Sequence, residues 1–315
     1  MTTPLARAAE VLGGLADRDV PLGPFTTYRV GGPASLLLRA ASEADLVLAR
    51  RVVVETGIAV LVVGNGSNLL VADRGFVGLA VILGDGFSTI DAKPDGHVTA
   101  GAAVSLPVLA RRTAAAALTG FEWAVGVPGT VGGAVRMNAG GHGSDMAASL
   151  LSWTSIDLAG GPDGRADAAM LDLGYRRSSV RPTQVVTEVE LGLAPGNRAE
   201  SEAQISEIVR WRREHQPGGQ NAGSVFTNPP GGSAGELIDH VGLRGHRRGS
   251  AHVSAKHANF FQADEGGSAD DVRSLILEVQ AQVEARIGVR LEPELRMVGF
   301  EGPSAPSQAS MGDGR

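Results

Sequence analysis

The sequence predicts an α+β protein assembled from more than one unit, and three observations carry that prediction. A β-α-β pattern occupies roughly residues 33–64, and short strands broken by Gly, Pro and Asp fill about 75–195. Then the turn-rich LAPGNRAESEAQ hands over to a charged helix.

Residues 1–22 read as an N-terminal helix. A Pro/Gly-rich entry, PLGPFTTYRVGGPAS, leads into the strand LLLRA. Ser42 caps the helix ADLVLARRVVVETG, with Asp45 three residues on in the place of a capping-box acid. The β-branched run IAVLVVG is a buried strand that stops at Gly64. GLAVILG and HVTAG are strands, Ser105 caps a helix to about Leu118, and the glycine-dense FEWAVGVPGTVGGAVRMNAGGHG precedes the strands SWTSIDL and TQVVTEVELGL. The last unit holds the helices SEIVRWRREHQ and GELIDHVG, the strand-like HANFFQ, a helix capped by Ser268, and a final strand VRLEPELRMVG. The expected division is 1–22 for the N-terminal helix, 23–195 for a first domain with subdomains of about 23–80 and 81–195, and 199–300 for a second. Residues 301–315, rich in Ser, Pro and Gly, are expected to be a disordered tail.

Composition narrows the function classes. The 315 residues contain no cysteine, which excludes a disulfide scaffold, a thiolate nucleophile and any Cys-ligated metal. A net charge of −6 without a basic block argues against a general nucleic-acid binder. The N-terminus lacks the pattern of a signal peptide and no apolar run approaches about 20 residues, so no membrane association is expected and cytoplasm is the default location. The 44 glycines, about twice the usual share, show no G-X-Y period. In a folded enzyme that excess means tight turns and backbone held close to a ligand.

GNGSNLL, Gly64 to Leu70, follows a strand directly, where backbone N–H groups can face a phosphate. It has neither the third glycine of a dinucleotide fingerprint nor the lysine of a P-loop, and a plain tight turn stays open as the other reading. Gly126 to Gly133 packs four glycines and a proline into eight residues and runs on to MNAGG. A bound cofactor would satisfy its backbone; a buried Ω-loop is the alternative. In GYRRSS, Arg176 is placed to clamp a carboxylate or phosphate, although most arginines on a chain with 26 of them are solvated. Gly231 to Gly235 satisfies G-x-S-x-G without a preceding apolar strand and reads as chance. Glu292 and Glu294, two apart on a strand, would point to one face. His252 and His257 do not match a zinc helix, so no metal is expected.

In order, TTYRVGGPA, VGNGSNLLV, GVPGTVGGAVRMNAG, GYRRSS, GSVFTNPP, SAKHANFF and LEPELRMVG resemble the UDP-N-acetylenolpyruvoylglucosamine reductase (UDP-N-acetylmuramate dehydrogenase) family over nearly the whole chain. The resemblance implies a vanillyl-alcohol-oxidase-like (PCMH-type) FAD-binding domain of two subdomains and a C-terminal α+β substrate domain. It implies noncovalent FAD, NADPH as reductant, and hydride transfer from flavin N5 to the terminal carbon of UDP-N-acetylglucosamine enolpyruvate, in peptidoglycan synthesis. Carried over residue by residue, Arg176 and Glu294 stabilise the charge that develops on the substrate carboxylate, and Ser224 donates the proton. Tyr28, Gly64, Asn65, Gly66, Ser67, Asn68, Gly126, Val127, Pro128, Gly129, Thr130, Gly132, Gly133, Asn138 and Gly140 fall to the cofactor, and Tyr175, Asn228 and Lys256 to the substrate. Thr227 and His215 stand where relatives often carry lysine, which leaves Lys256 or Arg212 and Arg213 to meet the substrate diphosphate. Between Arg176 and Ser224 there is no tyrosine, which resembles the shorter subclass without a tyrosine-bearing lid. A monomer is the default assembly. The rival readings are another FAD-dependent oxidase of the same fold and a non-catalytic flavin or nucleotide-sugar binder.

Overall fold

The computed structural model describes residues 3–300. The expected disordered tail lies outside them. Helix α1 covers only Pro4–Leu12, capped by Thr3. Gly13 and Gly14 end it, and Ala16–Pro21 becomes a strand that pairs antiparallel with Pro33–Ala40. The expected helix over 1–22 is thus corrected to a helix and an edge strand, because the two glycines have no helix-stabilising side chain and Gly13 takes φ 53°.

Helix α2, Glu43–Thr56, starts where Asp45 accepts the backbone N–H of Ser42 at 3.0 Å and stops at Gly57 in the left-handed region. It connects Pro33–Ala40 to Val60–Val63, both of which lie parallel to and on either side of Phe76–Leu83. Phe76–Leu83 is apolar almost throughout because both faces of this four-stranded sheet are covered: Leu79 and Val81 pack with α1 and α2, whereas Ala80 packs with Leu22, Leu61 and Val63.

A second, antiparallel sheet orders Gly164–Asp167, Leu150–Asp157, Gln184–Gly192, His97–Gly101 and Ile90–Ala92. Helices α3, Leu106–Ala115, and α4, Val131–Met137, share its core. Helix α5, Arg198–His215, also packs there through Ile205 and Ile208, and Ser201 Oγ donates to the buried Glu122 at 2.6 Å. The helix that the charge pattern assigns to the last unit therefore rests on the first.

The remaining core gathers α6, Ala234–His240, α7, Ala269–Ile287, and the small sheet Arg247–Arg248, Ala251–Val253, Phe261–Ala263. Helix α7 buries Val272, Leu275, Ile276, Val279 and Val283, a 3.6-period stripe, between the Ser268 cap and left-handed Gly288. Two connections tie this unit to the first. Tyr28, Val30 and Leu70 enter its core, and the last strand, Arg296–Val298, pairs in parallel with Leu69–Val71 rather than with its own sheet.

That pairing corrects the expected strand over 289–299. Only 296–298 is strand; Pro293 makes a single bridge to Phe226, and Glu292 and Glu294 part company. The side chain of Glu292 is 67% exposed and that of Glu294 15%, so one is solvated and one is held.

Candidate active site

Two glycine loops meet at the floor of a cavity of about 650 Å³. The first, Gly64–Asn68, leaves the C-terminal end of Val60–Val63, and the second, Gly126–Thr130, leads into α4. A Cβ on Gly64 would stand 2.5 Å from Thr130 Oγ1, so glycine is what lets the loops touch. The second loop satisfies part of its backbone within the chain: Leu106 N–H donates to Gly129 O, Val131 N–H to Val104 O and Gly132 N–H to Ala102 O.

Other glycines answer to something besides packing. At Gly129 and Gly141 the backbone is ordinary, and a Cβ would meet no atom of the chain closer than 3.6 and 4.0 Å respectively. Both line the cavity, where a side chain would take up space that the protein itself leaves open. Backbone left open at these positions, beside the Gly64–Asn68 loop, suits a large ligand carrying phosphates and thus fits FAD.

The structure brings Arg176, Ser224 and Glu294 to the same cavity. Arg176 has φ 54°, a conformation forced on it by the Gly174–Arg177 turn, and its Nε lies 2.8 Å from Glu294 Oε1. The contact is an ion pair without a hydrogen bond at Nε, which leaves that donor unspent. Burial raises the Glu294 carboxyl above the usual range, and the Arg176 charge pulls it back only partly. Ser224 bridges to Phe260, and the next residue, Val225, accepts the backbone N–H of Glu294 at 2.8 Å.

Charge in the cavity is lopsided. Arg136, Arg181, Arg212 and Arg296 line it with Arg176, against the single carboxylate Glu294. Desolvation depresses Arg136 and Arg296, and Arg136 also feels the Arg296 charge. Such a field favours an anionic ligand. Arg136 and Arg296 lie inside two of the sequence motifs and Arg212 is raised for the diphosphate, but apart from Arg176 the motifs single out no arginine for this cavity among 26, and Arg181 lies outside them. Trp211 and His142 also line the wall, edge to face at 5.2 Å, with His215 stacked on Trp211 at 4.6 Å. Their i, i+4 spacing on α5 was the readable part of that cluster; His142 arrives from a distant loop.

Of the residues assigned to the cofactor, Gly64 to Asn68, Gly126 to Thr130, Gly132, Gly133 and Gly140 line the cavity, and two do not. Tyr28 is fully buried in the core between the units, where desolvation pushes its phenol up and its hydroxyl finds no partner. Asn138, left-handed at φ 40°, is also buried; it donates to Gly174 O at 2.9 Å and to Asp145 at 3.1 Å. The residues assigned to substrate stand apart from the main cavity. Tyr175 is exposed beside the Arg176 guanidinium and lines a smaller adjoining cavity of about 370 Å³. Asn228 accepts from Ala234 N–H at 3.0 Å, and Lys256 Nζ donates to Arg213 O at 2.6 Å. Ser233, the G-x-S-x-G serine, is simply the cap of α6. Among the described residues no group of three His, Asp or Glu is placed to hold a metal ion, and no helix is long and apolar enough to cross a membrane.

A family model described as an FAD binding domain matches residues 34–162, and one described as the C-terminal domain of UDP-N-acetylenolpyruvoylglucosamine reductase matches 215–298. Glycine loops and a cationic cavity on an α+β fold, with an FAD binding domain matched over the first part, define the class as an FAD-binding oxidoreductase. The UDP-N-acetylenolpyruvoylglucosamine reductase of Heliobacterium modesticaldum is 43% identical over 287 residues, 90% of each chain, and that of Granulibacter bethesdensis 40% over 291 residues, 92% of this chain and 93% of the other. The crystal structure of the Thermus caldophilus enzyme matches with a TM-score of 0.78 at 36% identity, covering 90% of this chain and 99% of that one. The chain belongs to the UDP-N-acetylenolpyruvoylglucosamine reductase family.

Proposed function

We propose that this protein reduces the enolpyruvyl ether of UDP-N-acetylglucosamine to UDP-N-acetylmuramate, with NADPH as reductant, in the cytoplasmic synthesis of peptidoglycan precursors on which cell division draws. The observation that carries the proposal is the Arg176–Glu294 ion pair, set with Ser224 in one cavity that two glycine loops leave open.

Bound FAD supplies the hydride chemistry, held by the backbone of Gly64–Asn68 and Gly126–Thr130. As the enolpyruvyl group is reduced, negative charge builds on C2 and its carboxylate. Arg176 meets that charge with a fixed cation, and Glu294, in its protonated form, meets it with a donated hydrogen bond. Burial keeps the Glu294 carboxyl protonated to higher pH than a solvated one, which suits a donor. Ser224 then delivers the proton to C2; a serine hydroxyl is a weak acid, so the step requires that its oxygen be reprotonated as it gives up the proton, by relay from solvent or a stronger acid. The lack of tyrosine between 177 and 223 supports the subclass without a tyrosine lid. The division into a cofactor part and a substrate part belongs to the same proposal, with the handover placed after α5 rather than at 195–199, because Ile205 and Ile208 of that helix pack in the first core.

Ser224→Ala tests the assignment. Stopped-flow absorbance should find flavin reduction by NADPH close to wild type and flavin reoxidation by the enolpyruvyl ether slowed by about 10²–10⁴. Equal loss of both half-reactions would remove Ser224 from the proton-donor role. NADPH oxidation that ignores the enolpyruvyl ether would point instead to an oxidase.

A further inference from the structure

We propose that two asparagines, Asn68 in the first glycine loop and Asn138 at the end of α4, are positioning residues that set the Arg176–Glu294 pair against the bound flavin. The inference rests on the functional reading above.

Each asparagine spends its amide on the backbone of the segment that carries one member of the pair. Asn68 Nδ2 donates to the carbonyl of Glu294 itself at 3.1 Å, and Asn68 O accepts the N–H of Arg296 at 3.1 Å. Glu294 is thereby gripped on both sides: its N–H goes to Val225 O, beside Ser224, and its C=O to the first glycine loop. Asn138, at the end of α4, donates to Gly174 O, two residues before Arg176, and its Oδ1 accepts Ala147 N–H at 3.0 Å.

The chain separations show why such ties are needed. Asn68 and Glu294 are 226 residues apart and Asn138 and Gly174 are 36 apart, and neither Arg176 nor Glu294 sits within a regular element. A side chain presented from irregular backbone has no helix or strand to hold it within the fractions of an ångström that transition-state stabilisation requires. Asn68 turns its amide outward to another segment, whereas Asn138 divides its amide between Gly174 and its own turn at Asp145 and Ala147. The first glycine loop and the end of α4 therefore hold the segments of the two charged groups that act on the substrate.

The experiment uses Asn68→Asp and Asn138→Asp, which keep size and, at 138, the tolerance for left-handed backbone, yet remove the donated hydrogen bond. In flavin-loaded protein each variant should lose about ten- to a hundredfold in kcat, with KM for the enolpyruvyl ether within about threefold of wild type. Without any flavin, hydrogen exchange read by mass spectrometry should speed up at 292–298 in the Asn68 variant and at 173–178 in the Asn138 variant. Unchanged exchange in both segments would overturn the proposal, as would wild-type kcat in both variants. The exchange arm is independent of substrate: if wild-type protein fails to turn over the enolpyruvyl ether, the functional reading fails while the tethers are still measured.

Discussion

Glu294 carries the sharpest consequence at the scale of one residue. Its folded-state pKa is raised, so the native protein binds that proton more tightly than the unfolded chain does. The stabilisation is complete below the unfolded value of about 4.3 and disappears as pH rises through the folded value. The group therefore contributes less to stability at high pH than at pH 4. Glu294→Gln should melt at or above wild type in flavin-free protein at pH 8, the advantage shrinking toward pH 4, while reduction of the enolpyruvyl ether slows. Calorimetry at the two pH values checks this; a lower melting point at pH 8 would mean that losing the partner of Arg176 outweighs relief of the buried charge. This arrangement is a stability–activity trade, a charged group kept where folding alone would not keep it.

Among elements, the second glycine loop and the start of α7 make separable predictions. Gly129→Ala places a methyl where the chain offers only ordinary contact, so the flavin-free protein should be as stable as wild type or slightly more so. Its FAD affinity, read by quenching of flavin fluorescence, should fall tenfold or more; unchanged affinity would show that the opening at Gly129 is not a ligand surface. Helix α7 borrows part of its cap from the other unit. Asp73 accepts Ser268 Oγ–H at 2.5 Å, Ala269 N–H at 2.9 Å and Asp270 N–H at 3.2 Å. Asp73→Ala should cost about 1–2 kcal/mol, the range of a lost N-terminal cap, by urea denaturation. A loss well below that would mean that Ser268, which accepts Asp271 N–H, caps the helix alone.

For the whole molecule, the cavity draws its wall from both sheets' loops, from α5 and from the last unit, so a ligand that fills it binds the folded chain and not the unfolded one. FAD at a hundredfold excess over its Kd should then stabilise by about 2.7 kcal/mol, seen as a rise in melting temperature that grows with FAD concentration. A melting temperature that ignores FAD would refute a preformed flavin site.

Local elements were readable because their causes are local. The Ser42–Asp45 cap, the Ser268-capped helix and the strand GLAVILG all depend on residues a few positions apart, and each is present, the strand as Phe76–Leu83. The glycine excess was legible too, as loops following strands, and the order of motifs was enough to name the family. What the sequence could not rank was which cations matter and which neighbours hold them. Arg136 and Arg296 lie 160 positions apart yet share one cavity, Tyr28 belongs to a core and not to the cofactor wall, and Glu292 and Glu294 separate because 296–298 pairs with a strand near the other end of the chain. Those outcomes are set by contacts between distant segments, whose energies depend on three-dimensional approach rather than on spacing along the chain. Sequence by itself thus determined the chemistry available, a serine, an arginine, a glutamate and glycine loops; tertiary structure alone decided that they meet in one cavity, because that meeting depends on contacts between segments far apart in the chain.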